Sequence, residues 1–258
     1  MTANTRGGAM RRWSMTSFRE DLFAGRVAVV TGGTSGLGAG TAQYLAELGA
    51  RVYAVGLGAA DITFPDRLGI QVRELDVTDG DGLAALYAEL DRLDILVPAA
   101  GISLGDRELE WDSFNRVVGV QLLAVYRTIE LARSLLAASG GSIVTIASMY
   151  SYFGGGRIAA YSASKGGVVQ LTKSLAEVYA ADGIRVNSIA PGWIDTPLLT
   201  PLRTDPEIGG RILARTPLGR YGSTAEIGSV VAFLSSDAAS FITGSVLPVD
   251  GGYLVTGI

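Results

Sequence analysis

The sequence predicts a single α/β domain built as a doubly wound parallel sheet of about seven strands, with helices on both faces. Six or seven short, apolar, β-branched runs alternate with segments of helical periodicity, which is the pattern of repeated βαβ units. A glycine-rich turn directly follows the first run and opens a helix. No composition shift, internal repeat or low-complexity tract divides the chain.

The composition excludes several classes of function. Of 258 residues, 48% are hydrophobic and 18% are charged, which is typical of a well-buried globular protein. A net charge of −4 gives no reason to expect nucleic acid or an anionic membrane as a partner. The chain has no cysteine and no histidine, so disulfides, thiolate chemistry and the commonest general base are absent. Acid–base chemistry must therefore rely on Tyr, Lys, Asp or Glu.

Residues 1–15 are predicted to form a disordered N-terminal extension, and residues 16–258 the folded domain. The extension carries arginines but no long apolar segment, so it does not have the pattern of a secretory signal. No run approaches the length of about eighteen apolar residues that a membrane span needs. We therefore expect a cytoplasmic protein.

The first strand, residues 26–32, leads into a glycine-rich turn and then into a helix at 41–48. Glycines let a backbone approach phosphate groups, and a helix N-terminus offers free N–H donors and a positive dipole end. A tight turn that needs glycine only for steric reasons is the alternative, but the strand before it and the helix after it favour a nucleotide. The predicted phosphate-binding residues are Gly32, Thr34, Ser35, Gly36, Leu37 and Gly38.

The second strand, 51–56, ends at Gly56 and Leu57, where the adenosine ribose would lie in a dinucleotide fold. No acid stands there to bind a ribose 2′-hydroxyl, and no arginine follows to bind a 2′-phosphate. Because no cation is present to bind a 2′-phosphate, the sequence weakly favours NAD over NADP. Residues 59–68 contain a proline and leave room for only a couple of helical turns.

The third strand, 69–75, ends at Asp76 and Val77, and a helix is predicted at 79–90. Asp76 either accepts a hydrogen bond from an adenine amino group or serves as a cap or turn residue. The fourth strand, 94–97, ends before three small residues that would let the cofactor ribose approach the backbone. These are Ala99, Ala100 and Gly101.

A long helix is predicted at 113–136, followed by a fifth strand at 140–148 that ends at Ser148. The next helix carries Tyr161 and Lys165, four residues apart and therefore on one face. A phenol titrates near pH 10, and an ammonium group beside it favours the phenolate and lowers its pKa. Ser148 would hold a substrate oxygen. The alternative is a chance pair on a half-exposed helix.

The remainder of the chain continues the alternation, with a sixth strand at 184–189 and a last strand at 244–250. Between them, residues 193–215 are broken by prolines and are predicted to form a lid over the site. Ser223 and Glu226 have the spacing of a capping box, which opens another helix.

From about residue 22 to its end, the chain resembles the short-chain dehydrogenase/reductases. The motifs that carry the resemblance are Thr31-Gly32-xxx-Gly36-x-Gly38, Asp76, Ser148, Tyr161-xxx-Lys165, Asn187, Pro191-Gly192-xxx-Thr196 and Asp250-Gly251-Gly252. The resemblance implies that Tyr161 is the general acid/base, that Lys165 lowers its pKa and binds the nicotinamide ribose, and that Ser148 polarises the substrate oxygen.

The resemblance further implies cofactor contacts after the sixth strand, at Pro191, Gly192, Ile194 and Thr196, the last two facing the nicotinamide carboxamide. It also implies a homotetramer, or else a homodimer. The chain departs from the family where Pro98 and Ala99 replace asparagines, and where Gln121 stands at the position of the fourth catalytic asparagine. We predict that Gln121 still serves the proton path, with a tuned or slower reaction.

These residues predict an NAD(P)(H)-dependent alcohol dehydrogenase or ketone reductase. Tyr150, Trp193 and Arg157 are the predicted substrate contacts, since aromatic faces suit a polyhydroxylated molecule and an arginine could meet a carboxylate. The alternative for Arg157 is a solvated loop residue. A sugar, polyol or sugar acid is the expected substrate. The alternatives are a 3-oxoacyl thioester reductase and a catalytically weak nucleotide-binding protein with a regulatory role.

Overall fold

The computed structural model describes residues 18–256, so the predicted extension at 1–15 lies outside the described residues. One sheet of seven parallel strands has the order β3-β2-β1-β4-β5-β6-β7, which confirms the predicted fold class. The strands are β1 Val27–Thr31, β2 Arg51–Gly56, β3 Gln71–Glu74, β4 Ile95–Pro98, β5 Ser142–Ile146, β6 Arg185–Pro191 and β7 Val246–Val249.

Eight α-helices connect the described strands or follow them. They are α1 Gly36–Glu47, α2 Gly80–Ala88, α3 Trp111–Val118, α4 Ala124–Ser139, α5 Ala159–Tyr179, α6 Thr200–Arg203, α7 Pro206–Arg215 and α8 Thr224–Ser235. Within residues 18–256, no helix combines the length and apolar character that crossing a membrane requires.

The alternation of side chains along β1 assigns the helices to two layers. Val27 and Val29 pack into a core shared with α2, α4 and α5, whereas Ala28 and Val30 pack into a core shared with α1 and α8. Successive side chains of a strand point to opposite faces, so both faces of the sheet are buried. That is why the central strands are apolar throughout rather than alternating.

Helices α1 and α8 lie unusually close together because a glycine stands where they cross. A Cβ atom on Gly228 would lie 2.6 Å from the Cβ atom of Tyr44. The predicted capping box at the start of α8 is confirmed: Ser223 N donates to Glu226 Oε2 at 2.8 Å, and Glu226 N donates to Ser223 Oγ at 3.3 Å.

Two elements differ from the sequence-based expectation, and the segment at 59–68 agrees with it. Helix α1 begins at Gly36 instead of residue 41, because packing outweighs the low helix propensity of the glycines there. The predicted helix at 113–136 is interrupted by one π-helical turn, Gly119–Leu123, and a single inserted residue leaves little trace in a hydrophobic pattern. Residues 59–68 hold only two short 3₁₀ turns.

The strand order reverses between β1 and β4, since the chain runs outward to β3 before it returns to β4. Thr31, at the end of β1, pairs with Pro98, at the end of β4. In open parallel sheets, ligands bind in the crevice beyond the carboxyl ends of the strands at such a reversal. The fold therefore places a site next to the turns that follow β1 and β4.

Candidate active site

The turns that follow β1 and β4 touch each other through their backbones. Gly32 has φ +68°, and a Cβ atom there would lie 2.6 Å from the Cα atom of Ala100. Ala99 N donates to Thr31 O at 3.0 Å and continues the pairing of the two strands. Since side chains on this face of the two turns would collide, the small residues after β4 are a packing requirement.

The start of α1 forms a cradle of free backbone donors. Ser35 is the N-cap, but its side chain does not cap the helix, and the first turn contains no acid. The first N–H groups of α1 therefore remain available to an anion. Gly36 has φ +50°, and the side chain of Thr196 would lie 3.8 Å from a Cβ atom there. This arrangement fits a diphosphate, with Leu37 and Gly38 completing the turn.

The end of β2 is held by hydrogen bonds to its neighbours. Thr34 Oγ1 donates to Leu57 O at 2.7 Å, and a Cβ atom on Gly56 would lie 2.7 Å from Thr34 Oγ1. Glu74, the last residue of β3, accepts from Gly58 N at 3.2 Å and from Ala59 N at 2.6 Å. The carboxylate of Glu74, from β3, therefore lies beside the end of β2, although β2 itself ends without an acid.

Asp76 forms a turn with its own neighbour. Its carboxylate accepts from Thr78 N at 2.9 Å and from Thr78 Oγ1 at 2.8 Å, and these bonds lower the pKa of Asp76. These bonds match the turn alternative foreseen from the sequence, and the residue is exposed. Contact of Asp76 with an adenine stays a prediction. Val77, which follows, is buried.

Ser148 follows β5 and is only 5% exposed. Its Oγ accepts from Tyr150 N at 3.2 Å, and its backbone N donates to Ser151 Oγ at 3.2 Å. Ser151 Oγ in turn donates to Lys165 O at 2.8 Å. The turn that holds Ser148 is thereby bonded to helix α5 at the level of Lys165.

Tyr161 and Lys165 lie on the same side of α5, as their spacing predicts. Lys165 Nζ is 5.5 Å from the centroid of the Tyr161 ring and donates to Ile146 O at 2.7 Å. Burial lowers the pKa of Lys165 to about 7. The helix therefore places beside the phenol an amine that loses its proton far more easily than an ordinary lysine does.

The pKa of Tyr161 departs from the sequence-based expectation. Burial raises it, and this effect exceeds the lowering by a hydrogen bond to Ser148. The charge of Glu108 raises it further. Lys165 alone does not hold Tyr161 as a phenolate, because burial disfavours the charged form of Lys165.

Glu108 is a buried carboxylate that sequence reasoning missed. It is 0% exposed, and Oε1 accepts from Ser103 Oγ at 3.0 Å and from Leu104 N at 2.9 Å. Its Oε2 accepts from Tyr161 N at 2.8 Å, near the N-terminus of α5. Glu108 thus fixes the backbone of Tyr161 to the loop after β4. In the sequence it sits among charged residues and resembles a solvated stretch.

Gln121 lies in the π-helical turn and is 1% exposed. Its Nε2 donates to Ile102 O at 2.7 Å, and its Oε1 has no partner among residues 18–256. A Cβ atom on Gly101 would lie 2.9 Å from that oxygen. The amide therefore holds the loop after β4, while its role in a proton path stays a prediction.

The residues after β6 form the other wall of the crevice. Gly192 packs so closely on the last strand that a Cβ atom there would lie 2.7 Å from the Cα atom of Asp250. Ile194 is buried, and Thr196 Oγ1 donates to Ile194 O at 3.4 Å. The predicted lid at 193–215 overlaps this wall at Ile194 and Thr196 and contains helices α6 and α7.

Tyr150 and Trp193, two of the predicted substrate contacts, lie beside Tyr161. The Tyr150 ring meets the rings of Tyr161 and Trp193 edge-on, with centroids 6.2 and 6.3 Å away. Arg157 is a largely solvated residue, the alternative foreseen from the sequence: its Nε donates to Asp106 Oδ1 at 2.6 Å, and its side chain is 79% exposed. The expected pairing of Arg157 with a substrate carboxylate is not supported, because Asp106 already neutralises it.

Comparison with known proteins agrees with this geometry. The sequence model described as enoyl-(acyl carrier protein) reductase matches residues 32–254. The cis-4-hydroxycyclohexanecarboxylate dehydrogenase of Sinomonas cyclohexanicum is 44% identical over 247 residues, covering 90% of this chain and 98% of that protein. The 3-oxoacyl-[acyl-carrier-protein] reductase of Salmonella typhimurium is 38% identical over 246 residues, covering 90% and 99%.

A solved structure from Agrobacterium tumefaciens is similar over nearly the whole chain. It is described as a candidate 2-deoxy-D-gluconate 3-dehydrogenase with bound NADP. The two share 39% sequence identity with a TM-score of 0.84, and the match covers 93% of this chain and 100% of that one.

We predict that Glu108→Gln destabilises the protein. The substitution places an amide NH₂ group against N–H donors and leaves at least one of them unpaired, which should lower the free energy of unfolding by about 2 kcal/mol. Urea denaturation measures this loss. Glu110→Gln, at an exposed acid two residues on, is the matched control, and an equal loss in both variants would contradict the role given to Glu108.

We also predict that stability depends on pH through Lys165. Between about pH 7 and the ordinary lysine value of 10.5, the unfolded chain binds a proton that the folded chain lacks. The free energy of unfolding therefore rises with pH across this window, by about 3 kcal/mol from pH 7 to 9.5. Urea denaturation should show this rise in the wild type and a flatter response in Lys165→Met. Parallel curves would refute the assignment.

Proposed function

The chain belongs to the short-chain dehydrogenase/reductase family and is an NAD(P)-dependent oxidoreductase of secondary alcohols, and we propose that its natural substrate is a sugar, polyol or sugar acid. The observation that carries this proposal is the convergence of Ser148, Tyr161 and Lys165 beside the aromatic rings of Tyr150 and Trp193. Aromatic faces next to hydroxyl donors suit a compact, polar, cyclic or polyhydroxylated molecule.

A nicotinamide cofactor held by the turn after β1 and the wall after β6 would supply the hydride acceptor for the carbinol carbon in oxidation and the hydride donor for the ketone carbon in reduction. Tyr161 takes the hydroxyl proton in oxidation and gives it back in reduction. Ser148 Oγ donates to the substrate oxygen and holds it near the phenol. Lys165 binds ribose hydroxyls and, when charged, lowers the pKa of Tyr161.

Two further side chains position these groups without touching the reacting atoms. Glu108 fixes the backbone N–H of Tyr161, and Gln121 fixes the loop after β4. Both connect to neighbouring segments of that same loop, 101–104. We propose that they fix the position of Tyr161 relative to the loop after β4. A displacement of Tyr161 by about 1 Å would move the phenol out of reach of the substrate oxygen.

A 3-oxoacyl thioester is the second candidate substrate, because 3-oxoacyl-[acyl-carrier-protein] reductases are among the relatives. The sugar-acid proposal is supported instead by the relatives that act on a hydroxycyclohexanecarboxylate or a gluconate derivative. Competition between such acids and an acetoacetyl thioester in one assay separates the two candidates.

We propose that NAD is the preferred cofactor. The carboxylate of Glu74 stands beside Gly58 and Ala59, just beyond the end of β2, where the adenosine ribose lies in folds of this kind. A 2′-phosphate there would face negative charge and find no arginine in Gly56-Leu57-Gly58. The similar structure from Agrobacterium tumefaciens has NADP bound, so a preference for NAD would distinguish this chain from that protein.

We further propose a homotetramer in the cytoplasm. Exposed apolar side chains support the assembly: Leu123 and Tyr126 lie where the π-helical turn meets α4, and Val178 lies on α5. Phe241 and Leu247 are exposed beside and on the edge strand β7. Exposed apolar side chains on two surfaces are what a symmetric assembly would cover.

We predict that Tyr161→Phe loses at least a thousandfold in kcat for oxidation of a secondary alcohol, because the variant lacks the phenol to which the mechanism assigns the proton transfer. Cofactor binding, followed by fluorescence quenching, should remain within about threefold of the wild type. Tyr152→Phe, at an exposed tyrosine in the same loop region, is the control. Substantial turnover by Tyr161→Phe would overturn the mechanism.

We predict that NAD binds more tightly than NADP, by about tenfold, and that Glu74→Gln narrows the gap by weakening the repulsion of a 2′-phosphate. Fluorescence titration of both cofactors measures each Kd. Glu89→Gln removes an exposed acid elsewhere and should leave the ratio unchanged. Tighter binding of NADP to the wild type would refute the preference.

A further inference from the structure

Arg215 is the last residue of α7 and lies over an aromatic surface at the end of the lid. Its guanidinium carbon is 4.3 Å from the centroid of the Tyr253 ring and 5.5 Å from that of Phe153. Nη1 lies 3.4 Å from Tyr253 Oη. A guanidinium stacked in this way keeps its edge N–H donors free for a planar anion.

Arg215 has no acidic partner within residues 18–256. The acids of the neighbouring segments are already engaged. Asp250 accepts from Gly252 N at 2.9 Å and from Leu254 N at 2.8 Å, and Asp195 lies 3.5 Å from Arg203. The lid therefore presents a positive charge that the described part of the protein does not neutralise.

A continuous group of aromatic rings joins Arg215 to the catalytic tyrosine. The Tyr253 ring packs on Trp193 at 6.2 Å and on Phe153 at 6.3 Å, and Tyr150 packs on Phe153 at 5.2 Å. Tyr150 also touches the Tyr161 ring. The Nε1 of Trp193 is buried and has no partner among the described residues. The same group of rings thus has a cation at one end and a buried, unpaired donor within it.

The chain after β7 fixes Arg215 in this place. Arg215 O accepts from Thr256 Oγ1 at 3.2 Å, and Leu218 N donates to Gly251 O at 3.1 Å. Gly252 has φ +90°, and a Cβ atom there would lie 2.9 Å from the ring of Pro217. Because the turn that carries Tyr253 is bonded to the end of α7, the cation and its aromatic support form one built surface.

We propose that Arg215 binds the carboxylate of the substrate, so that the enzyme acts on hydroxy acids whose carboxylate is separated from the carbinol by a ring or several carbons. This inference rests on the proposed function and names its substrate class. Two aromatic rings stand between Tyr161 and Arg215 in the chain of contacts. The hydroxyl and the carboxylate must therefore lie at opposite ends of the substrate. Arg157, which Asp106 neutralises, does not serve this role.

The test is equilibrium binding to the protein saturated with NAD, with tryptophan fluorescence as the readout. The probes are cyclohexanecarboxylate and its neutral analogue cyclohexanecarboxamide. The wild type should bind the carboxylate at least tenfold more tightly than the amide. Arg215→Met should abolish this difference while leaving the Kd of the amide within about twofold, and Arg215→Lys should restore part of it.

Arg211→Met is the matched control, since Arg211 lies one turn earlier on α7 and is 73% exposed. It should preserve the preference for the carboxylate. Equal or undetectable binding of the two probes to the wild type overturns the proposal, as does a preference that survives in Arg215→Met or is lost in Arg157→Met instead.

Turnover separates this inference from the proposed function. Oxidation of 4-hydroxycyclohexanecarboxylate and of uncharged 4-methylcyclohexanol is measured in the same variants. In Arg215→Met, kcat/KM for the acid should fall about a hundredfold through KM, with little change for the uncharged alcohol. An equal fall for both substrates would show a structural role and overturn the inference, while the oxidoreductase assignment would stand.

Discussion

The backbone contact between the turns after β1 and β4 is the constraint on which the rest of the site depends. Gly32 meets Ala100 so closely that neither turn has room for a side chain between them. This contact closes the inner end of the crevice and directs the free N–H groups of α1 into it. Ala99 stands where the family has an asparagine. Because alanine is small, the replacement is compatible with the close approach of the two turns.

The acid–base residue depends on a second set of contacts that crosses from loop to helix. Glu108 bonds the start of α5 to the loop after β4, and Ser151 bonds the turn of Ser148 to the backbone of Lys165. Because burial alone raises the pKa of Tyr161 and lowers that of Lys165, the neutral forms of both groups are favoured by the protein. A bound oxidised nicotinamide would supply positive charge that favours the phenolate of Tyr161, and its ribose hydroxyls would accept hydrogen bonds from the ammonium of Lys165.

The sequence predicts what periodicity and local spacing determine, and misses what distant segments bring together. The parallel sheet, the capping box of Ser223 and the helix that places Tyr161 beside Lys165 all follow from neighbours in the chain. Glu74 and Asp106 act on residues fifteen to fifty-one positions away. No local pattern reveals such partners, which is why the acid beside β2 and the neutralised Arg157 became visible only in three dimensions.

The turn after β7 has an evolutionary consequence. It holds Tyr253 and the end of α7, and it meets the segment between β5 and α5 through the ring contact of Tyr253 with Phe153. The hydrogen bonds that hold Ser148 and Lys165 are made by other residues. If Arg215 selects the substrate as proposed, changes confined to these last residues and to residues 200–215 alter which molecules are accepted and leave the hydrogen bonds of Ser148 and Lys165 in place. New substrate ranges can thus arise by drift at the C-terminus, in steps that do not pass through an inactive ancestor.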